Sequence, residues 1–427
     1  MNVTITPARL RGVVTPPPSK SQAHRLLIAA ALAQGKSTIS NLILSQDLEA
    51  TIRCLEELGA RFSLEGTTMT VTGMGANPMS PRRRMALPHL DCGESGSTLR
   101  FLIPVALAVR GGGVFTGRGR LMERPLGPYF ELFGQKGISW EQRDGTLTVS
   151  GLLTPGEYAL PGDVSSQFFT GLLFALPLLE GDSTLMSTTA LESGDYLDMT
   201  LQAIEAFGVT ARREGSIFRI PGRQLYRPET CAVEADWSNA AFWYAAIGLG
   251  CQLDIQGLNP LSCQGDMRIA AFYAALRAEE LARQAGLSMP LAQAGQPLEL
   301  DMAPCPDLVP PVAALAALTP GREIRLVNAG RLRLKESDRL SAITQVLGAL
   351  GAEVAEHPDA LTIRGKSSLA GGVTVDSCND HRIAMMAAVA AIRCRAPVTV
   401  AGAQCVAKSY PNFWDDYEAL GGRISRS

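Results

Sequence analysis

Residues 19–35 read SKSQAHRLLIAAALAQG. A lysine, two hydroxyls and an arginine run straight into an Ala/Leu stretch that is apolar on every face. Ser19 or Ser21 suits an N-cap, since a hydroxyl there accepts from an orphan backbone N–H. The cations fit less well, because the helix dipole disfavours positive charge at an N-terminus. An anion held between Lys20, Arg25 and the free N–H groups resolves the conflict. A helix that is oily all round must lie inside something. The stretch therefore predicts an interior helix with a polar, anion-seeking start.

The same device recurs. GESGSTLRFLIPVALAVRGG starts at Gly93, SSQFFTGLLFALPLLEGD at Ser165, DWSNAAFWYAAIGLG at Asp236, DLVPPVAALAALTPG at Asp307 and NDHRIAMMAAVAAIRC at Asn379. The starts fall about 70–75 residues apart, a spacing that signals internal duplication. Each copy closes on a glycine-containing turn and a short β-branched run such as STISNL or PVTVAG. A second, amphipathic helix follows, as in LEATIRCLEELGARF or LSAITQVLGALGAEV, before another strand. The unit is strand, buried helix, strand, amphipathic helix, strand, used six times. The fourth is irregular, because FYAALRAEELARQAGLSMP predicts a longer helix than its counterparts. Three units can bundle their inner helices beneath outer strands and amphipathic helices. Six then make two similar α/β domains, with a joint near RQLYRPETCAVEAD. The competing six-unit solenoid has an unusually long period.

Composition narrows the function. Among 427 residues, 46% are apolar and 19% charged, which describes a folded globular chain. A net charge of −2 argues against a broad nucleic-acid or anionic-membrane footprint. The basic run RRR at 82–84 reads as a solvated loop. The longest oily stretches fall short of the ~18–20 residues that span a bilayer, and MNVTITPARLRG has no signal-peptide core. Nine scattered cysteines with no C-x-x-C pair suit a reducing, cytoplasmic setting. Four histidines without metal-ligand spacing give no reason to expect a metal. AQGKST around Lys36 is not a phosphate-binding P-loop, because Ala30 stands where its first glycine belongs. GESGS is not a nucleophile elbow, because Ser97 replaces the closing glycine.

The helix starts carry the chemistry. Buried helices open with Lys20 and Ser21, Gly96 and Ser97, Ser165–Ser166–Gln167, Asp236, Asp307 and Asp380–His381–Arg382. Amphipathic ones open near Arg124, Ser193, Lys335–Glu336–Arg339 and Lys408. If the starts in each half point the same way, one interdomain face gathers hydroxyls, N–H groups and cations for a multiply anionic ligand, phosphate above all. Asp307 and Glu336 are carboxylates available for proton transfer. The plainer reading of RLRLKESDRL is an exposed helix start, laced by Glu336–Arg339 and Lys335–Asp338 pairs worth ~0.2–0.5 kcal/mol each.

Taken together, PSKSQAHR, GESGSTLR, MERPLGP, DVSSQF, PDLVPPVAAL, LKESDRL, NDHRIAM and AKSYPNF resemble the 5-enolpyruvylshikimate-3-phosphate synthase family nearly end to end. The resemblance implies a two-domain inside-out α/β barrel with three units per domain. Residues 18–233 would form one domain, and 1–17 with 234–427 the other. It implies transfer of the enolpyruvyl group of phosphoenolpyruvate to the 5-hydroxyl of shikimate 3-phosphate, with no cofactor or metal. With the charge and cysteine usage above, the expectation is a cytoplasmic monomer with no nucleic-acid or membrane partner. Lys20, Ser21, Arg25, Ser165, Ser166, Gln167, Ser193, Asp307 and Lys335 would hold the shikimate ligand. Lys20, Gly96, Arg124, Gln167, Arg339, Arg382 and Lys408 would hold phosphoenolpyruvate. Asp307 would take the hydroxyl proton, Glu336 would handle the methylene proton, and Lys20 would sit between the ligands. The chain departs from the family pattern at Pro18, Glu94, Ser97, Phe101, Arg331 and in ESGDY at 192–196, which lacks Lys-Pro after Ser193. Two alternatives remain. One is UDP-N-acetylglucosamine enolpyruvyl transfer, which resembles this chain less because TGRGRLMERP (116–125) lacks a loop cysteine. The other is a non-catalytic binder of phosphorylated metabolites.

Overall fold

Helices that are apolar on all sides form the centres of two compact units, Pro18–Glu234 and Met1–Pro17 with Ala235–Ser427. The computed structural model describes residues 1–75, 86–284 and 297–427. The RRR run and the end of FYAALRAEELARQAGLSMP lie outside them.

In the first unit the inner helices are α1 (Lys20–Leu32), α3 (Gly96–Arg110) and α5 (Ser166–Ala175), alternating with outer helices α2 (Gln46–Leu58), α4 (Gly127–Lys136) and α6 (Gly194–Ala206). Every residue of α1 from Ala23 to Leu32 is buried, whereas α2 alternates buried Leu48, Ile52 and Leu55 with exposed positions. Three four-stranded sheets present alternate residues to the same core. Val149 and Phe115, for example, join Leu102 and Phe169 there. The sheets stay separate, so the expected barrel is three sheets and not one continuous cylinder.

Each sheet pairs two parallel strands and then an antiparallel hairpin. His89–Asp91 runs parallel to Gly112–Thr116, which meets Thr146–Ser150, whose outer neighbour is Ser139–Arg143. The repeat thus ends in two strands where the sequence reading had one. The link between them is Asp144–Gly145, both at positive φ (50° and 73°). That is the conformation a two-residue hairpin turn demands, and Asp-Gly supplies it cheaply. The strand leading into the first repeat comes from the far end of the unit, where Thr230–Ala232 pairs in parallel with Lys36–Ser40.

The second unit has inner helices α7 (Trp237–Gly248), α9 (Val309–Ala317) and α11 (His381–Ala391), and outer helices α8 (Ile269–Gln284), α10 (Arg339–Ala349) and α12 (Phe413–Ala419). All residues of α9 and α11 are buried. The chain's first strand, Asn2–Thr6, lies between Val398–Ala401 and Arg423–Arg426, which ties the N-terminus to the C-terminal half. The irregular fourth repeat pairs Arg11–Val14 with Gln252–Ile255 in a two-stranded sheet and carries the 16-residue α8. Among the described residues no helix is long and apolar enough to cross a membrane. None of the nine cysteines is in a disulfide.

Candidate active site

In the first unit, Ser19 caps α1 by accepting from the N–H of Gln22. Ser21 is not the cap. The adjacent Lys20 ammonium lies 2.8 Å from Asp47 in the first turn of α2. Asp47 was not singled out from sequence. Its only signal was its position two residues after the cap Ser45, and pairing across helices has no sequence spacing. Arg25 is 2% exposed. It donates to Thr200 Oγ1 at 2.8 Å, Tyr196 O at 2.9 Å and Ser21 O at 2.6 Å, clasping α1 to α6. Phe101, one of the departures from the family pattern, lies 5.2 Å beneath the Arg25 guanidinium.

Gly96, Arg124 and Gln167 converge. A Cβ added at Gly96 would come 2.5 Å from Arg124 Nη1 and 3.7 Å from Gln167 Oε1, so only glycine permits this approach. Gln167 donates to Ser97 Oγ at 3.0 Å and accepts from Arg100 Nη1 at 2.8 Å. Arg100 also reaches Pro125 O at 3.1 Å, anchoring the segment that carries Arg124. Arg100 was likewise missed as a site residue, although it closes GESGSTLR. Ser165 caps α5 through the N–H of Gln167, and Ser166 begins the helix. Ser193 is 4% exposed and precedes α6 at φ 55°. Arg124 follows the short turn Leu121–Glu123, just ahead of α4, which starts at Gly127. Glu94 folds against the same loop, where a Cβ at Gly119 would come 3.1 Å from its carboxyl carbon.

The second unit gathers a charge cluster. Asp307, in the turn Pro306–Leu308 ahead of α9, meets Arg339 at 2.8 Å, Arg382 at 3.2 Å and Lys335 at 3.5 Å. The Arg339 side chain is 2% exposed, and also holds Glu336 at 2.6 Å and Asp380 at 2.8 Å. Asp380 caps α11 through the N–H of Arg382 and accepts from Ser337 at 3.0 Å. Lys408, ending the turn Ala403–Lys408, donates to Asn379 O at 2.7 Å. Arg331 donates to Ala303 O.

KESDRL is therefore not an exposed, self-laced helix start. The Glu336–Arg339 pair forms, but Asp338 caps α10 and pairs with Arg333, while Lys335 turns to Asp307. Burial pushes the Asp307 carboxyl up, yet Arg382, Lys335 and Arg339 together outweigh it and hold the group well below the usual range. Burial lowers the Lys335 ammonium, against the pull of Asp307. Behind them Asp266 is 2% exposed, accepts from Ser238 Oγ, and is pushed up to about 6 by burial and by the charge of Asp307. No sequence spacing pointed to Asp266. Among the described residues no group of three or more His, Cys, Asp or Glu side chains is arranged to hold a metal ion.

Two units of one repeat, each lining its helix starts with cations and capping side chains, define a duplicated α/β enzyme for anionic substrates. A family model of EPSP synthase (3-phosphoshikimate 1-carboxyvinyltransferase) matches residues 5–417. The 3-phosphoshikimate 1-carboxyvinyltransferase of Clostridium kluyveri is 43% identical over 99% of this chain and 98% of its own. That of Clostridioides difficile is 42% identical over the same shares. An EPSP synthase structure from Acinetobacter baumannii superimposes with a TM-score of 0.74 over all of both chains, at 24% identity, and so has the same two-domain inside-out fold. The chain belongs to the EPSP synthase family. These relatives support that reading over UDP-N-acetylglucosamine transfer and over a non-catalytic binder.

Proposed function

We infer that this chain transfers the carboxyvinyl group of phosphoenolpyruvate to the 5-hydroxyl of shikimate 3-phosphate and releases phosphate, a step toward chorismate and the aromatic amino acids. The observation that carries the reading to the level of residues is the grip of Arg339, Arg382 and Lys335 on Asp307, with Glu336 on the same arginine. A pure anion binder needs the cations, but it has no use for two carboxylates set among them.

The hydroxyl oxygen adds to C2 of phosphoenolpyruvate while C3 gains a proton, and the hydroxyl proton leaves to a base. Elimination then takes a proton from the new methyl group, and the C2–O bond to phosphate breaks. Asp307 takes the hydroxyl proton and passes it to the departing phosphate, while Glu336, carrying a proton when the substrates are bound, delivers it to C3 and takes one back from the methyl group. Arg124, Arg339, Arg382, Lys408, Lys20, Gln167 and the N–H groups at Gly96 hold phosphoenolpyruvate. Guanidinium forks match its carboxylate and phosphate. Ser165, Ser166, Gln167, Ser193, Lys335, Lys20, Ser21 and Arg25 hold the shikimate ligand, where hydroxyls at helix starts suit a phosphate. Arg25 contributes mainly by clasping α1 to α6, since its donors are already engaged. The protein acts as a soluble cytoplasmic monomer.

The test is phosphate release with both substrates present and none with either alone. Release with UDP-N-acetylglucosamine in place of shikimate 3-phosphate would refute the acceptor.

A further inference from the structure

The first unit contains a buried chain of hydrogen bonds that the reaction does not use directly. His24 Nδ1 lies 2.8 Å from Thr51 Oγ1, Thr51 Oγ1 lies 2.6 Å from Thr98 Oγ1, and Thr98 Oγ1 lies 2.7 Å from Ser95 Oγ. His24, Thr51, Thr98 and Ser95 are all fully buried. The chain crosses from α1, four residues beyond Lys20, through α2, one turn beyond Asp47, to the N-cap of α3, next to Gly96. It ties together the three helix starts that hold Lys20, Asp47 and the Gly96 N–H.

Its direction follows from counting protons. Ser95 Oγ already accepts the Thr98 N–H at 3.2 Å. Longer contacts from Thr51 and Thr98 to Asp47 O, at 3.3 and 3.4 Å, compete weakly. If Thr98 donates to Ser95, Thr51 donates to Thr98, and His24 must then donate from Nδ1. The far nitrogen, Nε2, is buried with no hydrogen-bond partner. An orphaned buried acceptor is better tolerated than an orphaned N–H, so the Nδ1–H tautomer is the one that fits. Burial, with Lys20 and Arg25 adding to it, holds the imidazole well below its usual pKa and keeps it neutral. Phe101 meets the ring edge-on at 6.3 Å and packs the imidazole against α3.

We propose that His24, Thr51 and Thr98 are positioning residues that set the rotamer of Ser95, and through it the aim of the Gly96 and Ser97 N–H groups at phosphoenolpyruvate. The proposal rests on the assignment of the Gly96 end to that substrate. It makes the first unit's donor-binding end dependent on a side chain two helices away.

The experiment is steady-state kinetics of Thr51→Val and Thr98→Val, which keep shape and remove the bonds, and of His24→Phe, which removes the ring nitrogens. The expected result is a KM for phosphoenolpyruvate raised about tenfold, the scale of one lost buried hydrogen bond. The KM for shikimate 3-phosphate and kcat should stay within about twofold, and Thr51→Ser and Thr98→Ser should restore the wild-type value. Equal rises in both KM values, no rise in either, or no rescue by serine would overturn the relay. Imidazole nitrogen NMR of the wild-type protein, with His24→Phe to assign the signal, gives a second reading that needs no variant to be active. A neutral Nδ1–H ring at pH 7 supports the relay, and an Nε2–H ring refutes it. If the wild-type chain fails to release phosphate from the two substrates, the functional assignment falls and takes the relay with it. If the wild type turns over and the valine variants match it, only the relay falls.

Discussion

Glu336→Gln separates a proton carrier from a binding residue at one oxygen atom. Glu336 Oε2 lies 2.6 Å from Arg339 Nη2, and its side chain is 16% exposed. A glutamine carbonyl can keep that hydrogen bond, and Arg339 retains Asp307 and Asp380. The fold should therefore lose no more than about 1 kcal/mol, the difference between a charge-assisted and a neutral bond. The cluster holds three cations, Lys335, Arg339 and Arg382, against three carboxylates, Asp307, Glu336 and Asp380. Removing one carboxylate leaves a net charge of +1 where the substrates are anionic. A unit charge about 8 Å away at an effective dielectric near 40 contributes about 1 kcal/mol, roughly a fivefold gain in anion affinity. Turnover should move the other way, because a positioned acid or base is worth ~10²–10⁴-fold. Phosphate-release kinetics measure the turnover, and calorimetry with shikimate 3-phosphate or phosphoenolpyruvate measures the affinity. Turnover within a few-fold of wild type, with affinity lost, would make Glu336 a binding residue and refute the proton assignment.

Gly96→Ala places a methyl group 2.5 Å from Arg124 Nη1 and 3.7 Å from Gln167; the KM for phosphoenolpyruvate should rise at least tenfold while the melting temperature barely moves, since the flexible end of Arg124 can shift aside. Arg339→Met deprives Asp380, which is fully buried, of its guanidinium partner, and urea unfolding should show a loss of about 3–5 kcal/mol; a loss below about 1 kcal/mol would contradict the pairing. Asp266 goes from 3.8 when unfolded to about 6 in the folded chain, so the native state binds the extra proton and its contribution to stability falls as pH rises between those values, by up to about 3 kcal/mol. Asp266→Asn keeps the acceptor for Ser238 and removes that charge; it should melt above the wild type at pH 8 and level with it near pH 4, and an equal difference at both pH values would rule the titration out.

The six-fold repeat was legible because its cause is local. A helix such as IAMMAAVAAI has no polar face to offer solvent, and a duplicated unit prints its period in the order of residues. The helix-start residues were legible for the same reason, since caps and cations sit within a few positions of the helix they serve. What sequence did not give was pairing across elements. Asp47 for Lys20, Arg100 for Gln167 and Asp266 behind Asp307 are separated by 27, 67 and 41 positions, and no periodicity connects them. The KESDRL segment failed in an instructive way. Spacing alone offers Lys335–Asp338 as an i, i+3 pair, but Lys335 to Ser337 precede the helix, so helical spacing does not apply to them. The extra hairpin strand was hidden because Asp144–Gly145 joins two five-residue runs too short to stand apart from a single strand in the sequence.

Asp307 as it stands is a poor base, for a reason that bears on the order of events. Its carboxyl is held well below the usual range by Arg382, Lys335 and Arg339, and a carboxylate held so low takes a proton from an alcohol reluctantly. On the proposed assignment two of those cations, Arg339 and Arg382, are the ones that receive the carboxylate and phosphate of phosphoenolpyruvate, and Lys335 receives the phosphate of the acceptor. Each substrate anion shares a cation that Asp307 otherwise commands, and its negative charge adds to the repulsion felt by the carboxylate. Both effects raise the affinity of Asp307 for a proton. On that assignment the base is weak before the substrates bind and gains strength as both anions arrive. An unpaired phosphoenolpyruvate meets a half-activated base and no alcohol. The grip of three cations on one carboxylate, costly for a group meant to be basic, makes sense as a store of proton affinity that substrate binding releases.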